Sequence, residues 1–253
     1  FYYVQKVVVT TSGTVLAATR NGLFRSTNGG STWTNVLSGI VADIEIGSNG
    51  NIYASTGIIQ TAGNLYRSTN DGSSFSDITP ATGGERMEIA VAPSDGNTLY
   101  VVASSGSNVA WFRKSTNGGS SWTTVAIPQY LEQSCSAGTQ DFTRGQAWYD
   151  LILAVHPTNP NIVLAGGIDV HKTTNGGSSW SSISYWTGSC GPYLHADQHA
   201  IQFRPGFPNE AVFGNDGGVA YSSNVGSSSS PAFNVRNNGY NVTQFYAVAM
   251  QNT

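Results

Sequence analysis

Apolar and polar residues alternate along this chain in short runs that Gly, Asn, Ser and Pro repeatedly interrupt. Val4 to Thr10, Thr14 to Thr19, Gly22 to Ser26 and Trp33 to Val36 form a first group of four. Period-two runs bounded by turn formers predict β-strands. The grouping recurs: Val41 to Ile46, Ile52 to Thr56, Leu65 to Ser68 and Phe75 to Ile78, then Met87 to Ala92, Leu99 to Ala103, Trp111 to Ser115 and Trp122 to Ile127. A fourth group is Trp148 to His156, Ile162 to Gly166, Val170 to Thr173 and Trp180 to Ile183, and a fifth is His199 to Arg204, Ala211 to Gly214, Val219 to Ser222 and Phe233 to Val235. The expectation is an all-β chain of five four-stranded units, at about residues 1–38, 39–80, 85–127, 148–184 and 195–236. One more alternating run, Val242 to Met250, would open a further unit at 240–253. An inner strand without partners would leave an open edge, so the remaining units are expected from the rest of a longer polypeptide.

An eight-residue phrase sits before the last strand of each unit. It reads Ser26-Thr27-Asn28-Gly29-Gly30-Ser31-Thr32-Trp33, then Ser68 to Phe75 with Asn70 and Gly72, Ser115 to Trp122 with Asn117 and Gly119, and Thr173 to Trp180 with Asn175 and Gly177. A fainter copy starts at Ser222 and finds its aromatic at Phe233. The steps between these aromatics are 42, 47, 58 and 53 residues, a period that belongs to propeller blades. Asn at the third place bonds its own backbone and tolerates positive φ, the following Gly supplies a shape that side chains forbid, and the hydroxyls tie the turn internally. The phrase therefore predicts a hairpin turn anchored by an aromatic.

It resembles the Asp-box, or BNR repeat, S-x-D-x-G-x-[ST]-W, of sialidases, xyloglucan-cleaving hydrolases, sortilin-type receptors and secreted bacterial propellers. The acidic third place is Asn in all four clear copies, which keeps the turn-forming bonds. The resemblance implies a β-propeller in which the boxes lie between the two outer strands of each blade, away from the ligand face, as fold markers. The succession Trp148-Tyr149-Asp150-Leu151, His156 to Asn161, His195 to Ala200, Gly214 to Gly218 and Asn237 to Tyr246 looks like the sortilin-like or BNR-like propellers of large secreted or cell-surface bacterial proteins of the type IX export class. Members of that group commonly carry additional modules.

Composition narrows the function classes. Only 10% of the 253 residues are charged, Gly numbers 30, and Ser, Thr and Asn fill the turns, as in an extracellular β-protein. With a net charge of −3 and scattered Lys and Arg, nucleic acid is not an expected partner. No apolar run approaches the length of a membrane helix, so membrane insertion is not expected either. No cofactor is expected.

Two blade junctions, residues 128–147 and 185–198, are longer than the others, and each carries one of the two cysteines, Cys135 and Cys190. In a secreted chain with an even count, a disulfide between them is the natural expectation, two reduced thiols the alternative. The second junction ends in His195-Ala196-Asp197-Gln198-His199. If that run enters its strand extended, His195, Asp197 and His199 project on one side, where they could hold a metal, form an acid–base relay or simply order the loop. Asp216, in the Gly214 to Gly218 turn of the same blade, belongs to the same face, as do Asp150 and Asp169; turn capping is the plainer role for each. Trp148, Tyr149, Trp186 and Tyr193, with Tyr130 and Tyr185, offer contact area for sugars or a protein partner.

Two enzyme classes bear comparison. A sialidase needs three converging arginines, but Arg25 and Arg67 sit just before boxes, and Phe203-Arg204-Pro205 falls late in the chain. A xyloglucanase-like inverting hydrolase needs two carboxylates across a cleft; Asp150, Asp197 and Asp216 are available, but that family's Gly-rich aspartate motif is absent. The sequence thus favours a secreted or cell-surface propeller that binds a glycan or protein partner, with a glycoside hydrolase as the alternative.

Overall fold

The computed structural model describes residues 3–239, so the strand expected at Val242 to Met250 lies outside the described residues. Those residues form strands, turns and loops without a helix, and hence without a helix long and apolar enough to cross a membrane. The fold is an all-β propeller, with five four-stranded antiparallel blades among the described residues, each a simple meander. Blade 1 holds β1 (Val4–Val9), β2 (Val15–Thr19), β3 (Gly22–Ser26) and β4 (Thr34–Leu37); blade 2 holds β5 (Val41–Ile46), β6 (Ile52–Thr56), β7 (Leu65–Ser68) and β8 (Ser76–Asp77). Blade 3 holds β9 (Met87–Ala92), β10 (Asp95–Ser105), β11 (Asn108–Ser115) and β12 (Thr123–Thr124). A separate hairpin, β13 (Gln129–Leu131) with β14 (Ala137–Asp141), precedes blade 4. Blade 4 holds β15 (Ile152–Val155), β16 (Val163–Gly166), β17 (Val170–Thr173) and β18 (Ser181–Ser182), and blade 5 holds β19 (Gln198–Arg204), β20 (Phe207–Asn215), β21 (Gly218–Ser222) and β22 (Asn234–Val235).

The innermost strands line up side by side, β1 against β5, β5 against β9, β9 against β15 and β15 against β19. Because both faces of the middle blades are covered, β6 and β16 are buried at every position; β16 runs apolar instead of alternating, and the two polar residues that end β6, Ser55 and Thr56, are buried and hydrogen-bonded to main-chain carbonyls. The hydrophobic core is accordingly split into layers between blades: Leu16, Ile44 and Ile52 between blades 1 and 2, Met87, Leu99 and Trp111 between 2 and 3, Phe112, Leu153 and Val163 between 3 and 4, and Leu164, Ile201 and Phe213 between 4 and 5.

Each phrase is a turn between the third and fourth strands. Ser26 Oγ donates to Asn28 Oδ1 (2.9 Å) and accepts from Gly30 N (2.9 Å), while Asn28 Oδ1 accepts from Thr32 N (2.9 Å) and Asn28 Nδ2 donates to Thr32 Oγ1 (2.8 Å). The same four bonds recur around Asn70, Asn117 and Asn175. In the last of them the amide is the donor, whereas a carboxylate at the same place would accept from the seventh-place hydroxyl instead. Gly30 (φ +89°) and its counterparts Gly72, Gly119 and Gly177 lie in the left-handed region, as does the fourth place, where Asp71 (φ +59°) replaces Gly. Trp33, Phe75, Trp122 and Trp180 each fall one residue before the fourth strand of their blade.

The turns also join the blades, through two side chains that cross in opposite directions. The residue before each phrase is basic in the first four blades, and it reaches the fourth place of the next phrase. Arg25 Nε donates to Asp71 O (2.8 Å), Arg67 NH1 to Gly118 O (2.7 Å), and Lys172 Nζ to Val225 O (2.7 Å), Gly226 O (2.8 Å) and Ser228 O (3.0 Å). Lys114 Nζ instead donates to Asn161 Oδ1 (3.0 Å), packed so close to Gly176 that a Cβ there would stand 2.6 Å away. In return, the eighth-place Trp122 donates its indole N–H to Ile78 O (3.1 Å) of blade 2, and Trp180 to Ala126 O (2.7 Å) beside blade 3. Lys172 is buried and its ammonium holds three main-chain carbonyls. Lys172→Met is therefore expected to lower unfolding stability by about 2 kcal/mol, and the more exposed Lys114→Met by less, as read from urea midpoints. Equal shifts would overturn this account of the junction.

Two departures from the sequence expectations bear on the site. The run from Trp148 does not enter blade 4 as a strand: Tyr149 N and Asp150 N both donate to Gln146 O (2.7 and 3.1 Å), which coils the segment, and β15 begins only at Ile152. The junction 128–147, read from the sequence only as a long link between blades, carries the hairpin β13–β14; its tip bears Cys135, at φ +64°. Cys135 and Cys190 are joined, with Cα atoms 5.4 Å apart, so the two long junctions are tied covalently.

Candidate functional site

The face that carries the long junctions gathers most of the residues singled out by the sequence. Its centre is Asp216, at the β20–β21 turn. His199 Nε2 lies 2.7 Å from Asp216 Oδ1, and the Tyr149 hydroxyl donates to both carboxylate oxygens (3.0 and 3.2 Å). The Tyr149 ring meets the His199 imidazole edge-on at 4.7 Å and lies beside Trp148 at 5.5 Å. Two blades are thus linked by a carboxylate, an imidazole and a phenol, all partly exposed.

Asp150 lies just below, fully buried, and neither carboxyl oxygen has a hydrogen-bond partner among the described residues. Burial, with the negative charges of Asp197 and Asp216 adding to it, pushes this carboxyl up to about 8 against the pull of Arg86. Asp197 is also raised, first by burial and then by Asp216, while the Gln146 amide (3.3 Å) works the other way.

His195 does not join this group. The one-sided projection of His195, Asp197 and His199 requires an extended chain, but β19 starts at Gln198 and Asp197 turns the backbone at φ +64°. His195 consequently falls on the far side of the 215–217 turn, its ring so close to Gly217 that a Cβ there would stand 2.4 Å from it. No three of the His, Cys, Asp and Glu side chains among the described residues are placed to share a metal ion. Asp169 stays apart as well: its carboxyl accepts from Trp186 N (2.8 Å) and Ser184 Oγ (3.3 Å), which orders the second junction, and burial raises it to about 7.

Arg86 is the residue that sequence reading overlooked. Its guanidinium donates to the carbonyls of Trp148 (3.1 Å), Tyr149 (2.8 Å) and Leu151 (2.8 Å), so blade 3 dictates where the two aromatics of blade 4 stand. Its position directly before an inner strand was the available signal. Beneath it, on the inner strands, lies a second unforeseen group. Lys6 Nζ pairs with Asp43 (2.9 Å) and with Glu45, Asp43 Oδ2 accepts from Ile89 N (2.9 Å), and Arg86 stands 3.6 Å from Glu88. Burial, then the Asp43 charge, drives Glu88 up to about 8, offset by Arg86 and Lys6.

Above this belt a cleft of about 370 Å³ opens among Gln5, Ala42, Ile58, Ile59, Arg86, Trp148 and Tyr149. Trp148 is 43% exposed and Tyr149 38%. Trp186, 38% exposed, stands on the disulfide-tied junction and donates its indole N–H to Tyr130 (3.1 Å), which is itself core. Tyr193 is half exposed, beside His195.

No family profile and no curated protein matches the chain. Among solved structures it is similar to an ancestral GH74 enzyme, with a TM-score of 0.63 at 21% identity over 87% of this chain and 28% of that one. It is also similar to the GH74 xyloglucanase of Xanthomonas campestris, with a TM-score of 0.61 at 18% identity over 90% of this chain and 38% of the other. A third is YCF48 bound to D1 peptide, with a TM-score of 0.51 at 14% identity over 84% and 62%. The chain therefore spans less than two-thirds of the length of these structures, and at such identities the likeness speaks for the propeller fold alone.

Proposed function

We propose that this propeller is a binding module of a secreted or cell-surface protein, and that its ligand is a glycan held on the junction face. The observation that carries the reading is the cleft in which Trp148 and Tyr149 stand exposed side by side, their backbone fixed by Arg86 and the Tyr149 ring braced by His199. Rigid, preplaced aromatic surface with a few polar groups around it suits the C–H faces of sugar rings. A protein partner on the same face is the variant reading. The disulfide supports an oxidising compartment. The Asn-bearing boxes support placement among Asp-box, sortilin-like propellers.

A glycoside hydrolase is the second reading. Asp150 favours it, as a carboxyl that keeps its proton at neutral pH near two further aspartates, the pairing an inverting hydrolase uses. Against it, Asp150 has no solvent access, and Asp216 is occupied by Tyr149 and His199. Two assays separate the readings: affinity electrophoresis in xyloglucan, β-glucan and mannan gels, and reducing-sugar release from the same polymers. The expected outcome is retardation without sugar release, with retardation weakened about tenfold by Trp148→Ala. Reducing-sugar release that Asp150→Asn abolishes would install the hydrolase, and absence of retardation in all three would overturn the glycan reading.

A further inference from the structure

We infer that the junction face carries a second saccharide subsite, behind the 215–217 turn, so that it takes an extended glycan strand lying across that turn. The inference rests on the glycan reading above and specifies the ligand's length. The hollow, about 180 Å³, is lined by Tyr193, His195, Asn215, Val219, Phe233 and Asn237. It is the place to which His195 and Tyr193 go when the backbone turn at Asp197 removes them from the Asp216 group.

Its construction suits one sugar ring. The floor is apolar, with Leu194 and Ala220 buried, and the half-exposed Tyr193 ring forms the rim. The walls are held stiffly: Asn237 Oδ1 accepts from Val219 N (2.9 Å) while its Nδ2 donates to Gly217 O (2.7 Å), and the His195 ring is seated on Gly217. One polar atom is left over. Asn215 Oδ1 accepts from Gly217 N (3.0 Å), but its Nδ2 is buried without a partner among the described residues. A buried donor without an acceptor is costly, and a water held between it and a sugar seated in the hollow supplies one.

The turn itself relates the two subsites. Asp216 faces the first, where Tyr149 binds it, while Asn215 and Gly217 on either side of it line the second. A ridge of three residues therefore separates two aromatic-rimmed hollows on one face. A single sugar fills one of them, and a strand of several units fills both, so affinity should grow with chain length.

The test is calorimetric titration of the full chain with cellobiose, cellotetraose and cellohexaose. In the parent protein the affinity is expected to rise about tenfold or more from the shortest to the longest. Tyr193→Ala should remove that rise and leave cellobiose binding unchanged, whereas Trp148→Ala should weaken all three. Tyr193→Ala without effect on the rise, or with an equal effect on every length, overturns the second subsite while the glycan reading stands. If Trp148→Ala changes none of the three, the glycan reading falls and the second subsite with it; if none of the three binds, the second subsite falls while the gel assay above decides the glycan reading. Tyr193 is exposed, so a near-parental melting temperature serves as the check that the variant is folded.

Discussion

At pH 8 the Asp150→Asn variant should melt well above the parent chain, and at pH 4 the two should melt together. The unfolded carboxyl titrates near 3.9, while in the folded chain burial and the neighbouring Asp197 and Asp216 charges hold the proton on Asp150 up to about 8. Between these values the folded state binds the extra proton, so its stability falls as pH rises, by about 1.4 kcal/mol per unit for this one group. The fall ends once pH passes the folded value, when both states are ionised. Asn keeps the shape and never ionises, so its advantage grows across that window, to an upper bound on the order of 5 kcal/mol. Glu88 is raised for the same first cause and tilts the parent chain the same way, which is why the difference between variant and parent is the quantity to follow. A melting difference that stays flat from pH 4 to 8 would show that Asp150 is ionised in the folded protein.

Replacing Cys135 and Cys190 with Ser should cost about 4 kcal/mol in unfolding free energy, the chain-entropy value for the 55 residues between them. The effect is on the unfolded chain first, but the folded face feels it too. The bridge pins the β13–β14 hairpin against the junction that bears Trp186 and leads to Tyr193. Urea unfolding of the parent with and without reductant, compared with the double variant, reads the difference, and intact mass confirms the bridge. A reductant-insensitive midpoint would overturn the estimate.

How much of this was legible in the sequence depends on the range of the interactions involved. The boxes are local: Asn28, Gly30 and Thr32 lie within a few residues of one another, so their spacing carries their hydrogen bonds, and the strands around them follow from alternation. Strands such as β5, β9 and β17 could be bounded to the residue because turn formers flank them. The site was legible only as a list. That Tyr149 and Asp216 meet depends on how blades 4 and 5 are set side by side, and a run of alternating letters could not announce that Asp197 would turn the backbone and send His195 elsewhere. Arg86 and the Lys6–Asp43–Glu45 group escaped notice because partners that define them lie on other blades, and the one local sign, the place of Arg86 directly before an inner strand, names no partner. The start of the run Trp148 to His156 reads as strand because Trp148 and Tyr149 are aromatic; they are so because they line a cleft, and the strand begins only at Ile152.

The basic residues that reach from blade to blade find, in three of four cases, a main-chain carbonyl at their far end. Every amino acid provides that acceptor, which is why Asp71, Gly118 and Val225 serve equally at the fourth place. The contact therefore makes no demand on the sequence it lands on. A duplicated or transplanted blade would bring its own outgoing cation and its own waiting carbonyl, so this contact would re-form with a new neighbour without matched changes on the other side, and only the apolar layer between the two blades would have to be refitted.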